Sequence, residues 1–172
     1  MTPAGTGPVV INGWTLFVHP LFVAQVSELI AQVEELRKRW PDDYRDRRAS
    51  RRLAAISKLA FDVIPRDPAS AQWRLGGSLG ELHTHWRRAR FFQQYRLFFR
   101  FHTASRTIIY AWVNDERTLR AFESPDDAYR VFARMLDRGH PAGDWDALLR
   151  ESSTDAKALG LRAAGLVKGS GD

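Results

Sequence analysis

The sequence predicts an α+β domain on three observations. Two amphipathic helical stretches follow one another between residues 20 and 63, three runs dense in aromatic and β-branched residues occupy 85–114, and a capped helix opens after residue 124. Helices first and strands after them favour a small, mostly antiparallel sheet with an N-terminal helical hairpin and one or two C-terminal helices. The chain has 172 residues, 44% of them hydrophobic and 12% aromatic, enough for one core, so residues 1–150 are expected as a single domain.

Residues 9–18 read as a short extended segment closed by His19-Pro20, a pair that opens a helix because proline is tolerated at the first helical position. Phe22, Val26, Leu29, Val33, Leu36 and Trp40 then recur at spacings of four and three, a single helical stripe that ends at Pro41. Beyond the turn at Pro41-Asp42-Asp43, the positions Ala49, Leu53, Ile56, Ala60 and Val63 repeat that spacing as far as Pro65. So short a connection predicts an antiparallel hairpin of helices. Arg37–Arg52 holds eight basic and three acidic residues, either a solvated basic face or a contact for phosphate or a partner. Residues 65–80, rich in Pro, Asp, Ser and Gly, read as a loop with a short strand near Trp73–Leu75.

His85–Phe92, Tyr95–His102 and Thr107–Asn114 then read as an antiparallel meander. Ser124-Pro125-Asp126-Asp127 supplies a cap, an early proline and carboxylates for a helix that Gly139 and Pro141 end, with Tyr129, Phe132 and Leu136 on its buried side. A further short helix is expected after Asp144, with Trp145 and Leu148 packing back. From Glu151 the Ser, Gly and Ala content predicts a flexible or partner-dependent tail, 151–172.

The absence of cysteine excludes disulfides, thiolate zinc sites and cysteine nucleophiles. Met1–Pro8 lacks a basic segment followed by an apolar run, and no eighteen apolar residues occur in succession, so a cytoplasmic protein with no membrane partner is expected. A net charge of +6 and a pI near 10.2 favour a polyanion as the partner, nucleic acid ahead of membrane.

That charge is not spread evenly. Leu82–Asn114 contains no acidic residue but holds Arg87, Arg88, Arg90, Arg96, Arg100, Arg106 and three histidines. Alternation along a strand sends Tyr95, Leu97, Phe99 and Phe101 to one face and Arg96, Phe98, Arg100 and His102 to the other, and puts Arg88 beside Arg90. An open face of guanidiniums and rings suits RNA, whose phosphates accept bidentate bonds and whose unpaired bases stack. The alternative is a half-exposed sheet that its arginines keep soluble. His83 and His85 lack neighbouring carboxylates and read as surface rather than a metal pair. Asn114-Asp115-Glu116 fits a turn or cap as well as a catalytic role, and His140 fits helix termination.

Asn12-Gly13-Trp14, His19-Pro20, Trp86-Arg87-Arg88-Ala89-Arg90-Phe91, Tyr95-Arg96-Leu97-Phe98-Phe99-Arg100, Trp112-Val113-Asn114-Asp115-Glu116 and Arg138-Gly139-His140-Pro141 resemble, in that order, the YhaV toxin family. The likeness runs from about residue 10 to residue 150. It implies a RelE-like ribonuclease fold, cleavage of mRNA, and a PrlF-like antitoxin of the AbrB type whose complex with the toxin binds its own promoter. In the wider superfamily the basic residues of the strand before the Tyr-Arg-Leu motif, and the arginine within it, serve catalysis. Carried over, these roles fall on Arg88, Arg90 and Arg96. The sequence departs from some relatives where a Gly-x-Arg would follow the last strand, reading Val113-Asn114-Asp115-Glu116, and where a tyrosine would come shortly after, reading Phe122.

The chemistry expected is attack of an RNA 2′-hydroxyl on its adjacent phosphate, with no metal or cofactor. Arginine stays protonated, so Arg88, Arg90 and Arg96 would hold charge while Arg100 assists or holds backbone phosphate. Proton transfer would fall to His102, His85 or Glu116. The competing class is a non-catalytic RNA or ribosome binder that blocks translation. A transcriptional regulator is disfavoured by the lack of helix-turn-helix spacing.

Overall fold

Asn12 and Gly13, with φ of 51° and 82°, adopt the left-handed pair that a two-residue hairpin requires. They fold residues 9–18 into two antiparallel strands, β1 (Val9–Ile11) and β2 (Trp14–Val18), rather than one extended segment. A side chain at position 13 would also meet the Arg106 guanidinium at 2.8 Å. The computed structural model describes residues 8–121 and 123–167.

Helix α1 (Pro20–Arg39) starts where the sequence places it: His19 caps it, Nδ1 accepting from the Leu21 N–H at 3.1 Å, and Pro20 is its first residue. Phe22, Val26, Leu29, Ile30 and Val33 are buried. Helix α2 (Arg48–Lys58) runs on through a π-helical stretch, Leu59–Val63, into one last turn, α3 (Ile64–Arg66). Together they form the expected hairpin.

Strands β3 (Arg87–Phe91), β4 (Tyr95–His102) and β5 (Thr107–Val113) form the expected meander, and the full sheet order is β1-β2-β5-β4-β3. One pairing, β2 with β5, is parallel, so the sheet is mixed. The strand expected near Trp73–Leu75 is reduced to a 3₁₀ turn at Ala71–Trp73 and one bridge between Arg74 and Arg87. Between β4 and β5, Phe98 faces Trp112 and Phe99 faces Tyr110, which leaves Ala111 as a bulge. Ile109, Ala111 and Trp112 consequently share one face, while Ile108, Tyr110 and Val113 share the other.

Both faces are buried. Tyr95, Leu97 and Phe99 join the larger core under α1 and α2, as alternation requires. The opposite face was expected to be open, but α4 (Ala128–Asp137) lies across it. The Phe132 ring stacks on Phe98 at 4.3 Å and on Trp112 at 5.8 Å, and Trp86 meets it edge-on. Trp86, Phe98 and Trp112 give this face too much apolar surface to leave in water, which is why it recruits a helix. A short helix, α5 (Trp145–Glu151), follows, its Leu148 buried in the same core.

Where composition predicts a tail, residues 156–167 form α6 (Ala156–Val167), packed against the first core through Ala156, Leu159, Ala163 and Leu166. Gly160 allows this approach, since a Cβ there would stand 3.1 Å from the Phe61 ring.

Candidate active site

Arg88 and Arg90 on β3 point to the α4 side, and the register sets Arg88 opposite Phe98 and Arg90 opposite Arg96. The three arginines singled out in the sequence are therefore adjacent. Tyr129, in the first turn of α4, ties two of them, Arg88 and Arg96, together. Its hydroxyl accepts from Arg88 Nε at 3.0 Å and from Arg96 Nε at 2.9 Å. The Arg96 and Arg120 guanidiniums lie 5.6 Å and 4.9 Å from its ring centroid.

Each partner is fixed from behind. Arg96 is 6% exposed, and its Nη1 donates to the carbonyls of Gln93 at 2.6 Å and Tyr95 at 2.9 Å. Arg88 Nη1 donates to the Gln72 carbonyl at 3.2 Å. Asp127 caps α4, accepting from the Tyr129 and Arg130 N–H groups, and pairs with Arg120 at 2.6 Å. Asn114, fully buried, accepts from the Arg96 backbone N–H at 2.7 Å and donates to the carbonyls of Gln94 and Thr118. Beside Tyr129 a cleft of about 250 Å³, lined by Ser78, Arg120, Asp127 and Arg130 among others, opens to solvent. Arg90 and Arg130 are exposed at this end of the sheet.

Not all the predicted site residues gather here. Arg100 and His102 share the face but lie toward the other end of β4. Arg100 donates to the Gly143 carbonyl at 2.6 Å between the rings of Trp86 and Trp145, and burial lowers its pKa. His102 is exposed, stacked on Trp145 at 5.3 Å and bonded through Nδ1 to Ser105. Glu116 lies across the sheet, 3.9 Å from Arg52 of α2. His85 is exposed, and His83 contacts Asp137 at 3.2 Å. Phe122 lies outside the described residues. Tyr129 was read from its spacing only as a helix core position. The signal that could have distinguished it was a hydroxyl on a helix packed over a strand face rich in arginine.

A second polar group, His19, His140 and Glu151, brings together side chains of metal-binding type. Ligand atoms of His19, His140 and Glu151 lie within 4.8 Å of one another. His19 Nδ1 already accepts from the Leu21 N–H, so neutral His19 carries its proton on Nε2 and donates it to Glu151 at 3.1 Å. No lone pair of His19 remains for a cation. Burial lowers its pKa, outweighing the Glu151 carboxylate. The group is a structural clasp between the start of α1 and the end of α5.

Two guanidiniums on one hydroxyl, a third over its ring and the Asp127 carboxylate at the helix cap make a fixed, mostly cationic cluster that could hold an anionic centre. Fold and site thus define a small basic α+β protein with a cationic cluster of the kind that suits phosphate groups. The model of a family described as "Toxin with endonuclease activity, of toxin-antitoxin system" matches residues 16–153, and the chain belongs to that family, the YhaV toxins. It is 42% identical over 147 residues to the "Ribonuclease toxin YhaV" of Escherichia coli K12, covering 84% of this chain and 96% of that protein. It is similar in the same measure to the "Toxin YhaV" of Escherichia coli O157:H7, and 41% identical to that of Escherichia coli O6:H1. No solved structure matches the chain. Among the described residues, no helix is long and apolar enough to cross a membrane.

Proposed function

We propose that this protein is the toxin of a type II toxin–antitoxin system and a metal-independent, RelE-like endoribonuclease that acts on mRNA in the cytoplasm. The observation that carries the reading is the Tyr129 hydroxyl held by Arg88 and Arg96. The 2′-hydroxyl of a ribose attacks its own adjacent phosphate, the bond to the 5′-oxygen of the next nucleotide breaks, and the products are a 2′,3′-cyclic phosphate and a free 5′-hydroxyl end. Arg88, Arg90 and Arg96 stabilise the charge that grows on the phosphorane oxygens, since guanidiniums remain cationic and match phosphate bidentately. Tyr129 carries the proton between the entering and leaving oxygens. It is favoured over His102 and Glu116 because it alone touches the arginines. Arg100, farther along β4, holds backbone phosphate.

The partner is a PrlF-like antitoxin with an AbrB-type fold, and their complex binds its own promoter; the resemblance of the ordered motifs supports this. The toxin acts on free or ribosome-bound mRNA.

The test is cleavage of naked RNA with a chelator present, wild type beside Arg88→Ala. Loss of one guanidinium aimed at the transition state should cost on the order of 3 kcal/mol, near a hundredfold in rate. Chelator-resistant cleavage leaving cyclic-phosphate ends, and its loss in Arg88→Ala, are expected. Full cleavage by Arg88→Ala would overturn the assignment. RNA bound and left intact by the wild type would favour the non-catalytic binder.

A further inference from the structure

On the far side of the sheet from Tyr129, a cleft of about 280 Å³ lies between α1, α2 and the loop after β5. Leu29, Ile56 and Val113 line part of it. Arg52 is 5% exposed within this wall, its guanidinium carbon 4.6 Å from the centroid of the Tyr95 ring. Its buried Nε has no hydrogen-bond partner among the described residues, and its Nη1 stands 3.9 Å from the Glu116 carboxylate, beyond hydrogen-bond reach. A buried guanidinium is costly when its donors go unmatched, so an acceptor entering the cleft that Arg52 lines would lower that cost.

The neighbouring groups narrow the choice. Gln25 is committed to the Val113 carbonyl at 2.9 Å and to Asp115 at 3.2 Å, and Asp115 accepts further from Thr118 and the Arg117 N–H. These groups are satisfied. Glu28, Gln32 and Arg117, all exposed, also line the cleft, and its one buried guanidinium, Arg52, which only donates, lies beside the Glu116 carboxylate, which only accepts. Carboxylates along the wall disfavour a simple anion. A planar ring with two acceptors on one side and two donors on the next fits both, and among the RNA bases guanine has that pattern, with N7 and O6 followed by N1–H and the 2-amino group. Single-stranded bases are read on these edges when splayed from the backbone.

The cleft is also placed to see a nucleotide near the cut. Asn114 forms part of its wall, and the same side chain binds the Arg96 backbone N–H at 2.7 Å. Cleft and arginine cluster thus lie on opposite faces of the sheet at one shared end of β4 and β5, linked through Asn114.

We infer that this cleft reads a guanine base beside the scissile phosphate, Arg52 donating to N7 and O6 and Glu116 accepting from N1 and the 2-amino group. The inference rests on reading the Arg88–Arg96–Tyr129 cluster as the RNA-cleaving centre. Two measurements on the full chain test it: binding of guanosine, inosine and adenosine by NMR titration, and cleavage of short RNAs carrying G, inosine, A or U beside the cut. Guanosine should bind at least tenfold more tightly than adenosine, inosine should fall between them for want of the 2-amino group, and cleavage should follow that order. In Glu116→Gln, verified as folded by its melting temperature, both preferences should drop below threefold; Arg52→Gln should abolish them. Equal binding of the nucleosides, or a guanine preference that survives Glu116→Gln, overturns the inference. Cleavage that needs Arg96 but ignores the base leaves the nuclease and removes the cleft. Glu116-dependent guanosine binding by a protein that cuts no RNA leaves the cleft and removes the nuclease.

Discussion

The proposed chemistry rests, at the scale of single residues, on Tyr129. Its hydroxyl is the shared acceptor for Arg88 and Arg96, so replacing it with Phe keeps the ring against Phe98 and removes both bonds and the exchangeable proton. General acid–base groups contribute roughly 10²–10⁴-fold, so Tyr129→Phe should slow single-turnover cleavage of RNA at least a hundredfold at saturating substrate. Two guanidinium donors would lose their acceptor, and a modest destabilisation of about 1–3 kcal/mol should accompany the change, visible in denaturant titration. An unaltered cleavage rate in a folded variant would remove Tyr129 from the mechanism. The arginines of this site were legible because strand alternation is a two-residue rule that a reader can apply: Arg88 and Arg90 share a face, and so does Arg96 once the hairpin register is set. Tyr129 was not, because its partners lie 33 and 41 positions away and only the docking of α4 unites them.

Among elements, the junction of β2 with α1 shows how a sequence signal and its tertiary use differ. His19-Pro20 reads as a helix start, and it is one, yet the His19 ring also reaches across to Glu151 at the end of α5. Burial lowers its folded pKa below the ordinary imidazole value of 6.5, so the unfolded chain takes up the proton more readily. The stability that neutral His19 confers is therefore complete above about pH 6.5 and is lost as pH falls toward its folded value, by at most about 1.4 kcal/mol per pH unit. Burial alone would raise the pKa of Glu151, but the Ala142 N–H and His19 outweigh it and lower it, which adds a loss at more acidic pH. Melting temperature measured from pH 8 to pH 5 should fall for the wild type and fall less for His19→Asn, which retains a capping oxygen but cannot titrate. Parallel curves for the two proteins would sink this account. The helical hairpin and the meander were legible here because each is a local period. The open sheet face was misjudged because its rings were weighed as stacking surface for RNA, whereas the combined apolar area of Trp86, Phe98 and Trp112 demanded a protein layer.

At the scale of the whole molecule, the mixed sheet is a slab between two helical layers, α1, α2 and α6 on one side and α4 and α5 on the other. The bulge at Ala111 serves this plan by turning Trp112 to the α4 side while Tyr110 and Val113 keep to the α1 side. The layer that composition did not reveal is α6, whose Gly and Ala content reads as tail but whose small residues allow close packing on Phe61. Leu159 is 5% exposed and Leu166 3%, and the Leu166 carbonyl accepts from the Tyr44 hydroxyl at 3.0 Å. Two buried leucines are worth about 1.5–3 kcal/mol each. Their sum is a large part of the roughly 5–15 kcal/mol that holds a domain of this size together. A chain ending at Glu151 should consequently melt at least 10 °C lower than the full chain, or aggregate when purified alone, and Leu159→Ala with Leu166→Ala in the full chain should lower stability by several kcal/mol in denaturant titration. If the shortened chain instead melts at the temperature of the full one and cuts RNA at the same rate, α6 contributes nothing to the domain, and residues 152–172 return to being a segment that awaits a partner.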